Sequence, residues 1–388
     1  MANQAIRPGH FPWFDYSRYS FSLAVRSGQN VYLSGHTASE FDPDSKRMVV
    51  RGGMTDQAST AYAKIGAILE GAGMTYGDVV RVVEYVRPEG IERYAEAAAA
   101  REDVFGAHRP AVNTVPVRAL LRPDAFIEIE VTAGPAGPET DFGGGLPVAR
   151  QSGGVVFLPT IQPVDEAGNI IGAGDVVAQT QAIFEKAQTM LAALGLDFGR
   201  VVKTLDYITP AALPTYRYTG RVRKQFLGPV YPCAAGILMP RLLHPEALIQ
   251  YDFTATRDEP VAVNPGWQRY QKLTYSPGVR AGKMLFLSGQ GSLDPETEQV
   301  VHDGDVVAQA DYTYTNIVKV VEAAGGAAAN LVKTIEYVTP AGLERYRDVA
   351  SVRSKLLSEP FPASTGLICE ALLRPEMLIE VDPLAILD

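Results

Sequence analysis

Apolar and polar positions along the chain follow two rhythms, and both return three times. The stretch "VVKTLDYITP" (201–210) crowds β-branched and apolar residues, half-alternating, and ends in proline; this predicts a strand. "LVKTIEYVTP" (331–340) and "VVRVVEYVRP" (79–88) repeat it. Ahead of each strand, apolar residues recur at helical spacing. "AQTQAIFEKAQTMLAALG" predicts an amphipathic helix stopped at Gly195. After each strand the proline opens a second predicted helix, as in "TPAGLERYRDVASVRSKLL".

The three copies keep register. Tyr85, Tyr207 and Tyr337 occupy one place, Tyr94, Tyr216 and Tyr346 another, and Gln57, Gln179 and Gln309 a third. Each copy starts with a strand ending "VYLSG", "VFLPT" or "LFLSG", runs through a turn-rich hairpin, and closes with two more strands. The order β-β-α-β-α-β-β is an α+β layer with helices on one face of a sheet. The other face is left bare, and a closed three-fold arrangement covers all three bare faces where an open string leaves one exposed. The expected domains are 1–135, 136–257 and 258–388, each about one small domain in size. "AGPAGPETDFGGG" (133–145) and "RDEPVAVNPGWQRYQ" (257–271) read as linkers. Trp13 and Trp267 take equivalent places in aromatic leaders and read as packing anchors.

Composition narrows the function. A formal net charge of −9 argues against nucleic-acid binding, which needs a basic footprint. Two cysteines, Cys233 and Cys369, exclude a disulfide framework and point to a reducing cytoplasm. No apolar run suits a membrane span or a signal peptide. The five histidines are scattered, without HExxH or CxxC spacing, so neither a metal nor a cofactor is expected.

With "YLSG" and "FLSGQ", the helix ends "LEGAG", "LAALG" and "VEAAG", "VVKT"/"LVKT" and the closing "IEIE", each copy resembles the Rid (YjgF/YER057c/UK114) family. The resemblance implies a chorismate-mutase-like fold and a homotrimer fused into one chain as a pseudo-trimer. It also implies a small-molecule substrate in clefts between repeats, and hydrolysis of reactive imines or enamines. The family arginine that clamps the substrate carboxylate falls at Val112, Ala234 and Ser364, so it is missing from all three copies. The site cysteine of some members falls at Thr114, Gly236 and Gly366. The water-orienting glutamate is kept as Glu128 and Glu380 and becomes Gln250 in copy two, which therefore reads as scaffold.

The catalytic candidates are Glu128, Glu380 and His36. The substrate-binding candidates are Ser34, Arg109, Asn113, Thr114 and Arg118 in copy one and Ser288, Gln290, Ser364 and Thr365 in copy three. Arg109 or Arg118 is weighed as a replacement clamp against pairing with surface or inter-repeat acids. Glu84, Asp206 and Glu336 read as a repeated inter-copy salt bridge or a ring of acids near the three-fold axis. Cys369 reads as core. The leading function is a cofactor-free hydrolase or deaminase of a C–N bond. The alternatives are a non-catalytic small-molecule binder and a ring-opening amidase with Ser–Lys pairs, for which Lys203 and Lys333 recur without a matching serine. Ribonuclease activity fits poorly with the acidic charge. Loss of the arginine predicts poor hydrolysis of 2-aminoacrylate and 2-iminobutyrate. Assembly beyond one chain is left open.

Overall fold

The computed structural model describes residues 3–143 and 147–388. Each third of the chain builds one sheet in the same order. In the first the order is Gln4–Ala5, Ala24–Ser27, Asn30–Leu33, Ile127–Ala133, Val79–Val86 and Ala111–Pro116. The second runs Ala136–Thr140, Ala149–Ser152, Val155–Phe157, Ile249–Thr256, Val201–Ile208 and Cys233–Leu238. The third runs Pro260–Val263, Gly278–Ala281, Met284–Leu287, Ile379–Ile386, Leu331–Val338 and Ala363–Ile368. The last two strands in each order are parallel, because the second helical segment crosses over between them. Parts of both expected linkers are strands: Ala136–Thr140 and Pro260–Val263 each extend the sheet that follows. Gly144 and Gly145 of the first linker lie outside the described residues.

The long helices Met54–Gly71, Val176–Ala193 and Val306–Ala323 lie on one face of their sheets. Asp175 and Asp305 cap two of them, each accepting two backbone N–H groups of the first turn. Gly195, with φ 67°, ends the second in a conformation only glycine takes without strain. The recurring glutamine pins the loop before the last strand: Gln57 accepts from the Phe126 N–H and donates to Asp124, Gln179 treats Leu248 and Glu246 likewise, and Gln309 treats Leu378 and Glu376. The second helix is not continuous as expected. In copy three a 3-10 turn, Gly342–Asp348, precedes the α-helix Val349–Leu356, and in copy two a 3-10 turn, Arg217–Thr219, separates the short helices Leu213–Tyr216 and Gly220–Phe226.

The other sheet faces meet each other. Tyr85, Val115 and Leu120 of copy one pack with Leu205, Tyr207 and Ile237 of copy two and with Ile335, Tyr337 and Leu367 of copy three in one buried cluster. The Tyr207 and Tyr337 hydroxyls meet at 3.2 Å. Around them runs a cycle of ion pairs between repeats: Arg81 with Asp252 (3.8 Å), Lys203 with Asp382, and Lys333 with Glu130 (2.7 Å). All six groups line one small cavity of about 80 Å³. Strands also cross between repeats. Ala371–Leu372 pairs with Cys233–Leu238, and Ala119–Leu120 pairs with Ala363–Ile368.

The ring of charges is therefore real but is made by other residues than expected. Glu84, Asp206 and Glu336 point into their own repeats, where each binds a helix arginine: Arg101 at 2.5 Å, Arg223 at 3.5 Å and Arg353 at 2.7 Å. Tyrosine hydroxyls complete the three hubs: Tyr62 and Tyr94, Tyr216, and Tyr314 and Tyr346. A buried carboxylate needs an opposite charge and donors within reach, and the helix one crossover away supplies both.

Candidate active site: clefts between the repeats

Each cleft lies between the turn after the first hairpin of one repeat and the hub of the next. In the cleft between repeats one and three, Gly35 donates its N–H to Thr365 Oγ1 at 3.0 Å. Glu128 packs directly on Gly35. A Cβ at residue 35 would stand 2.3 Å from Glu128 Oε1, so only glycine lets the carboxyl lie there. The cleft between repeats three and two repeats this. Gly289 donates to the Ala234 carbonyl at 3.0 Å, and a Cβ there would stand 2.2 Å from Glu380 Oε1.

Both glutamates are nearly buried, and neither accepts a hydrogen bond from any described residue. Burial, reinforced by Glu130, pushes the Glu128 carboxyl up to about 8; Lys333, Arg122 and Lys64 pull against the shift. Burial, reinforced by Asp382, pushes Glu380 up to about 8 as well. At neutral pH each is largely a carboxylic acid with free hydrogen-bonding capacity.

The third cleft, between repeats two and one, is closed. Thr160 stands in the glycine's place and Gln250 in the glutamate's. Thr160 Oγ1 accepts from the Thr114 N–H at 3.1 Å and donates to Asp252 at 2.5 Å. Gln250 donates to the Thr114 carbonyl at 2.9 Å. A Cβ at 160 would crowd a carboxyl placed as in the other two clefts, and the Gln250 amide is tied to backbone instead.

The other candidates separate into those in a cleft and those committed elsewhere. Ser34 Oγ donates to the Ser22 carbonyl and accepts from the Ser364 N–H, and Ser288 Oγ does the same with Ser276 and Ala234. Thr365 Oγ1 serves Gly35, Lys333 and Glu130. Ser364 Oγ meets Thr334 at 3.3 Å. Asn113 links Arg81 to the Leu158 carbonyl, and Thr114 meets Tyr94. These side chains fasten repeats or hubs through contacts with protein atoms. Arg109 is half-exposed and paired with Glu139 and Asp141, and Arg118 is paired with Glu370 of repeat three. His36 is buried with Nε2 unpartnered; burial, with Lys64 and Lys333 nearby, pushes its imidazole down to about 3, so it is a neutral and weak base. Gln290 stays in its cleft, beside Tyr270. Trp267 is buried in its repeat's core as expected, whereas Trp13 is half-buried beside Lys64.

The family model described as Endoribonuclease L-PSP matches residues 16–134 and 269–387, more than half of the chain. The chain belongs to the Endoribonuclease L-PSP family. This is the Rid family that the repeats resemble. Among its relatives is the 2-iminobutanoate/2-iminopropanoate deaminase of Escherichia coli (strain K12), 31% identical over 135 residues, which are 34% of this chain and 94% of that protein. A RutC family protein of Pyrococcus horikoshii is 31% identical over 113 residues, 29% of this chain and 85% of that one. A chorismatase crystal structure aligns over 80% of this chain and 93% of its own with TM-score 0.54 and 16% identity, a likeness of fold.

Arg122 of repeat one is half-buried, makes no ion pair among the described residues, and acts electrostatically on both Glu128 and Lys64. A cavity of about 930 Å³ opens beside the leader of repeat one, walled by Phe11, Phe14, Tyr16, Phe21, Phe41 and Phe361. In the cleft between repeats three and two, Tyr275 takes the place of Phe21 and Arg269 that of Asp15. Sequence reasoning passed over Arg269 and Tyr275 because it looked for groups at the family's own positions. The available signal was the unequal leaders, read in register from Trp13 and Trp267. No helix among the described residues is long and apolar enough to cross a membrane.

Proposed function

We propose that the chain is a cofactor-free hydrolase that cleaves the C–N bond of a small imine or enamine in the two clefts holding Glu128 and Glu380. The observation that supports this best is the pair of buried carboxyls, raised to about 8 and free of protein partners, at equivalent places in two of three clefts. In an imine, the carboxylic acid protonates the nitrogen and leaves a carboxylate. The carboxylate takes a proton from water as its oxygen adds to the carbon. The regenerated acid then protonates the amine of the carbinolamine. The C–N bond breaks, ammonia leaves, and the carboxylate removes the hydroxyl proton to give the carbonyl. An enamine enters the same route by protonation at carbon. One pKa near working pH lets a single group serve both directions.

A ring-opening amidase fits less well, since Lys203 and Lys333 are committed to buried inter-repeat ion pairs. The test is ammonia release from an imine generated in situ by a dehydratase. Changing Glu128→Gln and Glu380→Gln together should cost about 10²-fold or more, as for loss of a general acid–base, while Gln250→Ala stays near wild type. An unchanged rate in the double variant rejects these acids as the catalytic groups, and no ammonia release by the wild-type chain favours a non-catalytic binding protein.

A further inference from the structure

The clefts of Glu128 and Glu380 share a floor but not a mouth. Arg269 lies in the turn Gln268–Lys272, upstream of the hairpin of repeat three. Its guanidinium carbon sits 5.3 Å from the Tyr270 ring centre, and the Tyr270 and Tyr275 rings meet edge to face at 5.6 Å. Nε of Arg269 is buried without a partner, and the side chain makes no ion pair or hydrogen bond with any described residue. Tyr275 is half-buried, and its hydroxyl also has no hydrogen-bond partner there. Its surroundings come from two repeats: Arg269 and Glu380 on one side, Arg223 and Asp206 on the other.

The opposing hub is looser than its counterpart. In repeat three, Arg353 Nη1 reaches both oxygens of Glu336, at 2.8 and 2.7 Å. In repeat two the acid is one carbon shorter. Arg223 stands 3.5 Å from Asp206 and 3.4 Å from the hydroxyls of Tyr216 and Tyr251, while its Nε crosses the interface to Thr274 Oγ1 at 3.1 Å. The cleft thus presents one unpaired guanidinium, one loosely paired guanidinium and a free phenol around a carboxyl. Arg269 is half-buried with its Nε shut off from solvent, and an incoming oxyanion would give these guanidinium groups charge-assisted hydrogen bonds.

We propose that Arg269 binds the anionic group of the substrate, a carboxylate or similar small oxyanion, in the cleft between repeats two and three, standing in for the arginine absent at Ala234. This rests on the reading of that cleft as a reaction site. The anchor moves from the strand to the leader, so the spacing between anion and reacting C–N bond differs from that set by a strand arginine. In the cleft between repeats one and three the same position is Asp15, exposed and bonded to Ser17, so that cleft has no such anchor.

The experiment is titration calorimetry of the full chain with 2-oxobutanoate and, separately, inorganic phosphate, alongside the ammonia-release assay. Arg269→Met should weaken binding of 2-oxobutanoate at least ~10-fold and raise KM in step, the expected loss for one charge-assisted contact. Arg269→Lys should recover part of it, and Asp15→Asn should change neither quantity. Phosphate competing with 2-oxobutanoate marks a general oxyanion site; phosphate without effect marks a carboxylate site. Wild-type affinity in Arg269→Met, or no binding of 2-oxobutanoate by the wild-type chain, overturns the proposal. If Arg269→Met abolishes binding while no variant or wild type releases ammonia, the anion site stands and the hydrolase reading falls. If Glu128→Gln with Glu380→Gln abolishes turnover while Arg269→Met is silent, the reverse holds.

Discussion

The cleft between repeats one and two and the cleft between repeats two and three are made from the same strands in the same register. The first is sewn shut by Thr160 and Gln250; the second keeps Gly289 and Glu380 with an acid that has no protein partner. The difference shows what fusion of a trimer permits. In a homotrimer one substitution changes all three sites, whereas in one chain a glycine-to-threonine and glutamate-to-glutamine pair can convert one site into a structural seam. The seam keeps its place in the axial cycle through Arg81, Asn113 and Asp252, so closing a site need not loosen the assembly.

The largest effect should come from the ion pairs that all three repeats share. Lys203→Met leaves Asp382 buried without its cation and should cost about 3–5 kcal/mol. Urea unfolding measures it, and a loss under about 1 kcal/mol would mean that the axial ion pairs do not hold the repeats together. Next in size is the glycine under the proposed catalytic acid. In a Glu128→Gln background, Gly289→Ala should lower the remaining ammonia release at least ~10-fold by displacing Glu380. Thr160→Gly in the closed cleft should leave activity intact and cost about 1–2 kcal/mol of stability through its lost hydrogen bonds.

A pH titration sharpens the same contrast. Turnover should fall as pH rises through about 8, where Glu128 and Glu380 lose their protons. Their folded values lie above the ordinary 4.5, so the folded chain holds these protons more tightly than the unfolded one. Their contribution to stability is therefore complete below about 4.5 and is lost as pH climbs to about 8. Replacing both with glutamine should flatten that decline; an unchanged slope would place the titration elsewhere. The smallest effect belongs to the rim. Arg118→Met removes an exposed ion pair with Glu370 and should change stability by less than about 1 kcal/mol and activity not at all.

The α+β unit and its repetition were legible because strand, helix and proline signals return in register, and three weak readings of one element reinforce each other. The Glu128, Gln250 and Glu380 contrast was legible for the same reason. The axial ring was half-visible: Arg81, Lys203 and Lys333 recur at one place and Glu130, Asp252 and Asp382 at another. Alternation alone does not say which recurring acid faces the axis, and Glu84, Asp206 and Glu336, expected in an inter-copy salt bridge or an axial ring, bind arginines of their own repeats instead. Whether a hydroxyl such as that of Ser34 or Thr365 is free or committed depends on partners some 330 residues away, which a local pattern does not carry. Arg269 escaped because repetition draws attention to what is kept, and this residue differs between copies.

Which clefts take a ligand separates these possibilities. A crystal of the chain soaked with 2-oxobutanoate should show the ligand beside Glu380, its carboxylate toward Arg269, and nothing beside Gln250. Ligand beside Gln250, or equal occupancy of all three clefts, would contradict it.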